Sequence, residues 1–162
     1  MSLSDLLSTK IILASKSPRR KQLLEQMGFE VVVDSVDIEE TFPPNLDVED
    51  VAEYLAIKKS KNYKKDVAEK SILVTSDTVV VVDNIILGKP KNVQEAKEFL
   101  RLLSSRTHKV ITGCCLKTHN NKIKYFSEQT VVKFKELTEE EIDFYVNKYK
   151  PFDKAGAYGI QE

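Results

Sequence analysis

Ser15-Lys16-Ser17-Pro18-Arg19-Arg20-Lys21 gathers two hydroxyls and four cations where an apolar run, Lys10 to Ala14, gives way to a helical pattern of Leu23, Leu24 and Met27. Ser17 suits the N-cap and Pro18 the first helical position. A helix start offers unpaired N–H groups and a partial positive charge, so hydroxyls and guanidinium groups there make a phosphate cradle. The plainer reading is a capped helix with a solvated basic first turn. Cations in a first turn oppose the helix dipole, however, and ask for an anion to offset them.

A second candidate is Thr75-Ser76-Asp77-Thr78, set inside the apolar stretch Ile72 to Val82. A carboxylate in such a strand is costly to bury unless it is paired, metal-bound or at a strand end. Asp77 therefore reads as a metal ligand, as a general base, or as a strand-end residue capping a neighbour. Three weaker signals accompany it: the acidic pair Glu39-Glu40 in a loop before Pro43, the cation of Gly88-Lys89-Pro90, and the mixed loop Asp153 to Gln161. His108 lies at a strand entrance, where a lone histidine is more often a hydrogen-bond partner than a catalyst. Basic phosphate-type groups together with acidic metal-type groups, and no Ser–His–Asp or Cys–His signature, point to phosphate-ester or anhydride chemistry assisted by a divalent cation.

The elements that must position these residues follow from hydrophobic period. Strands are expected at Lys10 to Ala14, Phe29 to Val36, Ile72 to Val82 and Ile85 to Leu87, the last two joined by Asp83-Asn84. Helices are expected after Pro18, around Val48 to Ala56, after Asn92 with Glu95 as a capping-box-like pair, and after Thr138 with Glu141. Val110 to Lys117 and Lys124 to Phe134 read as a hairpin about Asn120-Asn121. Helices and strands alternate early and hairpins follow, which predicts an α/β domain with a mixed sheet.

Composition narrows the function classes. The chain has 25 Lys+Arg against 25 Asp+Glu, a net charge of zero. That balance argues against a broad nucleic-acid- or membrane-binding surface, while leaving room for a small basic pocket. The longest apolar run is far short of the ~20 residues that cross a bilayer. Met1 to Lys10 lacks the pattern of a secretory signal. Cys114 and Cys115 are adjacent, a poor geometry for an ordinary disulfide, so reduced, cytoplasmic conditions are expected.

Ser15-Lys-Ser-Pro-Arg-Arg20 with Leu23-Leu24, Ser76-Asp-Thr-Val79, Gly88-Lys-Pro90, Thr107-His-Lys-Val-Ile-Thr112 and Asp153-Lys-Ala-Gly-Ala-Tyr-Gly-Ile-Gln161 together resemble the Maf family of nucleoside triphosphate pyrophosphatases. The motifs run in the family's order across nearly the whole chain. The resemblance implies a mixed α/β fold, a twisted sheet flanked by helices with a deep cleft, similar to the inosine triphosphatase architecture. It implies hydrolysis of a nucleoside triphosphate to the monophosphate and pyrophosphate, in the subgroup acting on dTTP and UTP, with modified pyrimidine nucleotides as further substrates.

Matched residue by residue, it makes Asp77 the proton acceptor and associates Arg19, Thr78 and Gln161 with substrate choice. Ser15, Arg20, Lys59 and Lys89 match polar residues of the phosphate cleft, and Glu40 an acidic position near the metal. It further implies a homodimer; with the residues themselves it points to a Mg2+ or Mn2+ cofactor held by Glu40 or Asp77 and the phosphates, and the neutral total charge points to no nucleic-acid partner. A catalytically weak nucleotide-binding regulator of cell division or septum formation is the alternative. Glu162 stands where the family has glycine, so the expectation is a single Maf-like domain over 1–162, without the family's C-terminal segment.

Overall fold

The computed structural model describes residues 3–160. Along the chain run α1 (Leu3–Leu7), β1 (Lys10–Leu13), α2 (Pro18–Gln26), β2 (Val31–Val33), α3 (Val51–Asn62), β3 (Ser71–Val82), β4 (Ile85–Leu87), α4 (Val93–Leu103), β5 (Thr107–Thr118), β6 (Ile123–Lys133) and α5 (Glu139–Tyr149). A short 3-10 turn, Ala155–Ala157, follows.

The six strands form one mixed sheet of order β2-β1-β3-β5-β6, with β4 paired to β3. β1 runs parallel to β2, Ile12 opposite Val32, and parallel to β3, Ile12 opposite Leu73. β4 returns antiparallel, Val81 opposite Ile86, after a turn in which Asp83 and Asn84 both take positive φ. That is the backbone a two-residue hairpin favours, and it agrees with the expectation from sequence. The α/β mixed sheet is thus as expected, and among the described residues no helix is long and apolar enough to cross a membrane.

Several boundaries differ from the pattern in the sequence. Phe29 to Val36 shortens to Val31–Val33, because that strand lies at the sheet edge, where only β1 pairs with it. α3 extends to Asn62 through Lys58, Lys59 and Lys61, polar residues that hydrophobic period does not register. Ser17 N-caps α2 without a side-chain cap bond; instead its N–H donates to Ser15 Oγ at 3.2 Å. At Asn92 the side chain accepts from Glu95 N, but Glu95 turns its own carboxylate to Lys91 N. The complete reciprocal capping box is at Thr138 and Glu141.

The chain divides into two compact units. One gathers the chain up to Leu46 with Asp50–Asp77 and Gly113–Ser127; the other gathers Asp47–Glu49, Thr78–Thr112 and the chain from Glu128 onward. In the first, Ala14, Tyr63, Val67 and Leu73 bury one another. The Tyr63 hydroxyl leaves this cluster to donate to Asp34, and burial together with that carboxylate pushes its pKa up to about 12. The second unit is built on Ala96, Leu100, Ile142 and Val146, and on Val80, Val82, Leu87 and Leu103.

Candidate active site

One stripe of α3 sets the geometry of the first unit. Ala52, Ala56 and Lys59 follow at helical spacing, so they share a face, while Thr75 and Asp77 alternate onto one face of β3. At Gly113 of β5 a Cβ would lie 2.3 Å from Glu53 N and 2.4 Å from Ala52 C, so helix backbone and strand backbone are in direct contact there. Four residues on, Thr75 Oγ1 donates to the Ala56 carbonyl at 2.7 Å. Lys59 is next along the stripe, and its Nζ reaches Asp77 Oδ1 at 2.5 Å. α3 is thereby fastened to β5 at Gly113 and to β3 at Thr75, and its third contact is the ion pair with Asp77 of β3.

Lys59 has a second carboxylate, Glu40 Oε1, at 2.9 Å. Glu40 sits in an irregular loop that Lys58 fastens to α3: its Nζ donates to the carbonyls of Glu39 and Thr41, each at 2.8 Å, and to Thr41 Oγ1 at 2.9 Å. Adjacent lysines therefore take different tasks, Lys58 holding loop backbone and Lys59 the two acids. No pattern in the sequence singles out Lys58, since a solvated lysine near a helix end looks the same.

From the other side α2 contributes Arg20. Its Nη1 donates to the Ser76 carbonyl at 2.8 Å and to Ser15 Oγ at 3.4 Å. The loop after β1 and the first turn of α2 thus rest on the residue before Asp77. Arg19 lies beside Arg20, half-buried. Lys16, by contrast, pairs with exposed Asp37, and Lys21 with Glu25.

Asp77 is 8% exposed. Burial pushes its carboxyl above the ordinary carboxylate range, Glu40 adds to the rise, and Lys59 and Arg20 pull the other way. Burial also lowers Arg20 from its usual value, against the attraction of Asp77. A buried carboxylate raised in this way is a stronger proton acceptor than a solvated one, provided its charge is compensated. Two carboxylates already converge on a single cation, the Lys59 ammonium. That arrangement fits a divalent ion, since Mg2+ commonly takes one or two carboxylates and completes its shell with substrate phosphates and water. Among the described residues no cluster of three or more His, Cys, Asp or Glu could hold a metal by itself.

Ser15, Arg20, Glu40, Lys59 and Asp77 are therefore brought together within the first unit. Thr78 and Lys89 belong to the second. Thr78 Oγ1 shares a hydrogen bond with Thr112 Oγ1 at 3.0 Å. Lys89 is exposed after β4, and the Gly88 carbonyl before it accepts from Gly156 N at 3.0 Å. Gly156 has φ 68°, and a Cβ there would be 2.9 Å from Val80 Cγ2, so that fastening requires glycine. Gln161 lies outside the described residues. His108 is buried against Phe134 and Tyr158, its Nε2 2.6 Å from the Tyr158 hydroxyl, in the structural role expected of it.

The chain is similar to known proteins along most of its length. The chain is 46% identical over 161 residues to the dTTP/UTP pyrophosphatase of Phocaeicola vulgatus, covering 99% of this chain and 83% of that protein. It is 45% identical to the dTTP/UTP pyrophosphatase of Porphyromonas gingivalis, covering 99% and 81%. Its backbone resembles the Ham1 protein of Staphylococcus aureus (TM-score 0.52, 14% identity, 76% of this chain and 71% of that one). A HAM1 protein from Coxiella burnetii is similar in the same degree (TM-score 0.53, 16% identity, 77% and 72%). The family model described as Maf-like protein matches residues 10–162. This chain belongs to the Maf-like protein family.

Proposed function

We propose that this chain is a nucleoside triphosphate pyrophosphatase that hydrolyses dTTP and UTP to the monophosphate and pyrophosphate. The observation that carries the reading is Asp77, one buried carboxylate enclosed by Lys59, Arg20 and Glu40, in a chain about 45% identical to dTTP/UTP pyrophosphatases over nearly its whole length.

In this reading Asp77 takes a proton from the water that attacks the α-phosphorus. Arg20 and Lys59, with Ser15 and Lys89, bind phosphate oxygens and stabilise the charge that collects on the pyrophosphate leaving group. A divalent cation, Mg2+ or Mn2+, would be held by Glu40 and Asp77 and would supply charge neutralisation on the triphosphate. Arg19, Thr78 and Gln161 are assigned to substrate choice, and the working form is a homodimer in the cytoplasm.

The test is pyrophosphate release by the purified chain with Mg2+ or Mn2+ across a panel of nucleoside triphosphates. Release is expected to be fastest with dTTP and UTP. Nucleotide binding without release would favour a regulatory protein instead. Gln161→Ala should alter the ranking of nucleotides, and an unchanged ranking would remove Gln161 from base selection. Light scattering at working concentration decides the dimer.

A further inference from the structure

We propose that Lys59 is an exchangeable internal counter-ion. In the nucleotide-free chain its ammonium fills the cation position between Glu40 and Asp77. When a divalent cation enters there, the ammonium moves onto the triphosphate, so that cation and nucleotide tighten each other's binding. This deepens the pyrophosphatase reading and rests on it.

The geometry states the competition directly. Lys59 Nζ is 2.5 Å from Asp77 Oδ1 and 2.9 Å from Glu40 Oε1, and both the Lys59 and the Asp77 side chains are 11% exposed. An ammonium and a divalent ion cannot share the point on which these two oxygens converge. Nor can the point be left empty at no cost, because the nearly buried Asp77 carboxylate and the half-exposed Glu40 carboxylate face it together and repel without a cation between them.

Lys59 is also the group able to move. An ammonium on a four-carbon stem is a point charge that can change partners without displacing backbone. The helix beneath it stays in place, held by Thr75 against the Ala56 carbonyl and by the close approach of Gly113. Arg20 cannot make the same exchange cheaply. It donates to the Ser76 carbonyl and Ser15 Oγ, which would lose that donor if it moved. Glu40 keeps its position during the exchange because its loop hangs from Lys58.

The energetic consequence is a coupling. A cation arriving alone must displace Lys59 and strand a nearly buried ammonium without an anion, which is costly. A cation arriving with a triphosphate provides that anion. Coupling between two ligands is reciprocal, so nucleotide must tighten the metal by the same factor that metal tightens nucleotide, commonly about 5–150-fold.

Mn2+ titrations of the full chain, followed by electron paramagnetic resonance and by calorimetry, test this with and without a non-hydrolysable α,β-methylene analogue of dTTP. In the native chain the analogue should tighten Mn2+ by about tenfold or more, within the usual range of ligand coupling. In Lys59→Met, Mn2+ alone should bind more tightly than to the native chain, and the tightening by nucleotide should largely disappear. Lys59→Arg, which keeps a cation in place, should resemble the native chain. A lysine that only gripped phosphate would weaken nucleotide in Lys59→Met and leave metal binding to the nucleotide-free chain unchanged; that result, or weaker metal binding, overturns the proposal. Should Lys59→Met fail to show a cooperative thermal transition, Lys59→Gln replaces it. Equal Mn2+ affinity in the native chain with and without the analogue overturns the proposal with no variant at all. Failure of native protein to release pyrophosphate from dTTP or UTP refutes the pyrophosphatase reading, independently of the titrations.

Discussion

Asp77 in the first unit and His108 in the second are both buried titratable groups, 8% and 2% exposed, and their surroundings differ in kind. Asp77 has an ammonium in contact, a guanidinium and a second carboxylate close by, and burial raises it against the pull of the cations. His108 has a tyrosine hydroxyl on one nitrogen, no hydrogen-bond partner among the described residues on the other, and the edges and faces of Phe134 and Tyr158 around it. Burial lowers its pKa and keeps it neutral. Burial of a titratable group is thus a poor marker of function alone. What separates the two sites is the company of exchangeable charges, which gives Asp77 partners to trade and gives His108 none.

The sharpest way to break this contrast is Asp77→Asn. A single carboxylate acting as base is worth about 10²–10⁴-fold, so turnover should fall by that order while nucleotide still binds. Steady-state pyrophosphate release with a parallel binding titration decides it, and full activity would dismiss Asp77 as the base. The matching change, His108→Phe, should leave kcat within a few-fold, and a collapse of turnover in a folded variant would erase the distinction.

A smaller effect is expected at Gly113. Adding a methyl group where helix backbone lies 2.3 Å away is overpacking, so Gly113→Ala should cost about 1–3 kcal/mol in urea unfolding. It should also slow turnover, because the helix it displaces carries Lys59. Unchanged stability would mean that the contact between α3 and β5 is not the fixed spacing inferred.

The smallest effect concerns pH. The folded state holds His108 neutral to a lower pH than the unfolded chain, whose imidazole titrates near the ordinary 6.5. Below that value the unfolded chain binds the extra proton, so this part of the stability is present above pH 6.5 and is lost as pH falls toward the lower folded value. Urea unfolding from pH 7 to pH 5 should show a steeper loss in the native chain than in His108→Phe. Equal slopes would mean that the imidazole is protonated in place.

Sequence pattern reaches furthest where a residue type leaves one physical option. β3 is legible because Ile72 to Val82 is apolar on both faces, and it is buried at nearly every position. β6 is almost as long and carries Ile123, Tyr125, Phe126, Val131 and Val132, yet nearly all of it is exposed, because it ends the sheet order. Sheet position depends on pairing between distant segments, which local spacing does not contain. The site divides in the same way. Arg20 and Asp77 announce themselves, one by charge in a first helical turn, the other by a carboxylate in an apolar strand. Glu40 and Lys59 acquire meaning only through the register of α3 against β3, and apart from family resemblance an acidic pair in a loop and a lysine near a helix end carry no such signal.

The grip of Lys58 on the loop from Glu39 to Thr41 has a consequence for the entropy of assembly. Fixing a residue's backbone costs on the order of 1–2 kcal/mol, and a free loop would meet that cost each time a ligand required its carboxylate. Here the ordering is completed at folding, by a side chain that takes no part in the exchange of charge next to it. One lysine makes the acid permanent in space, and its neighbour can then be temporary.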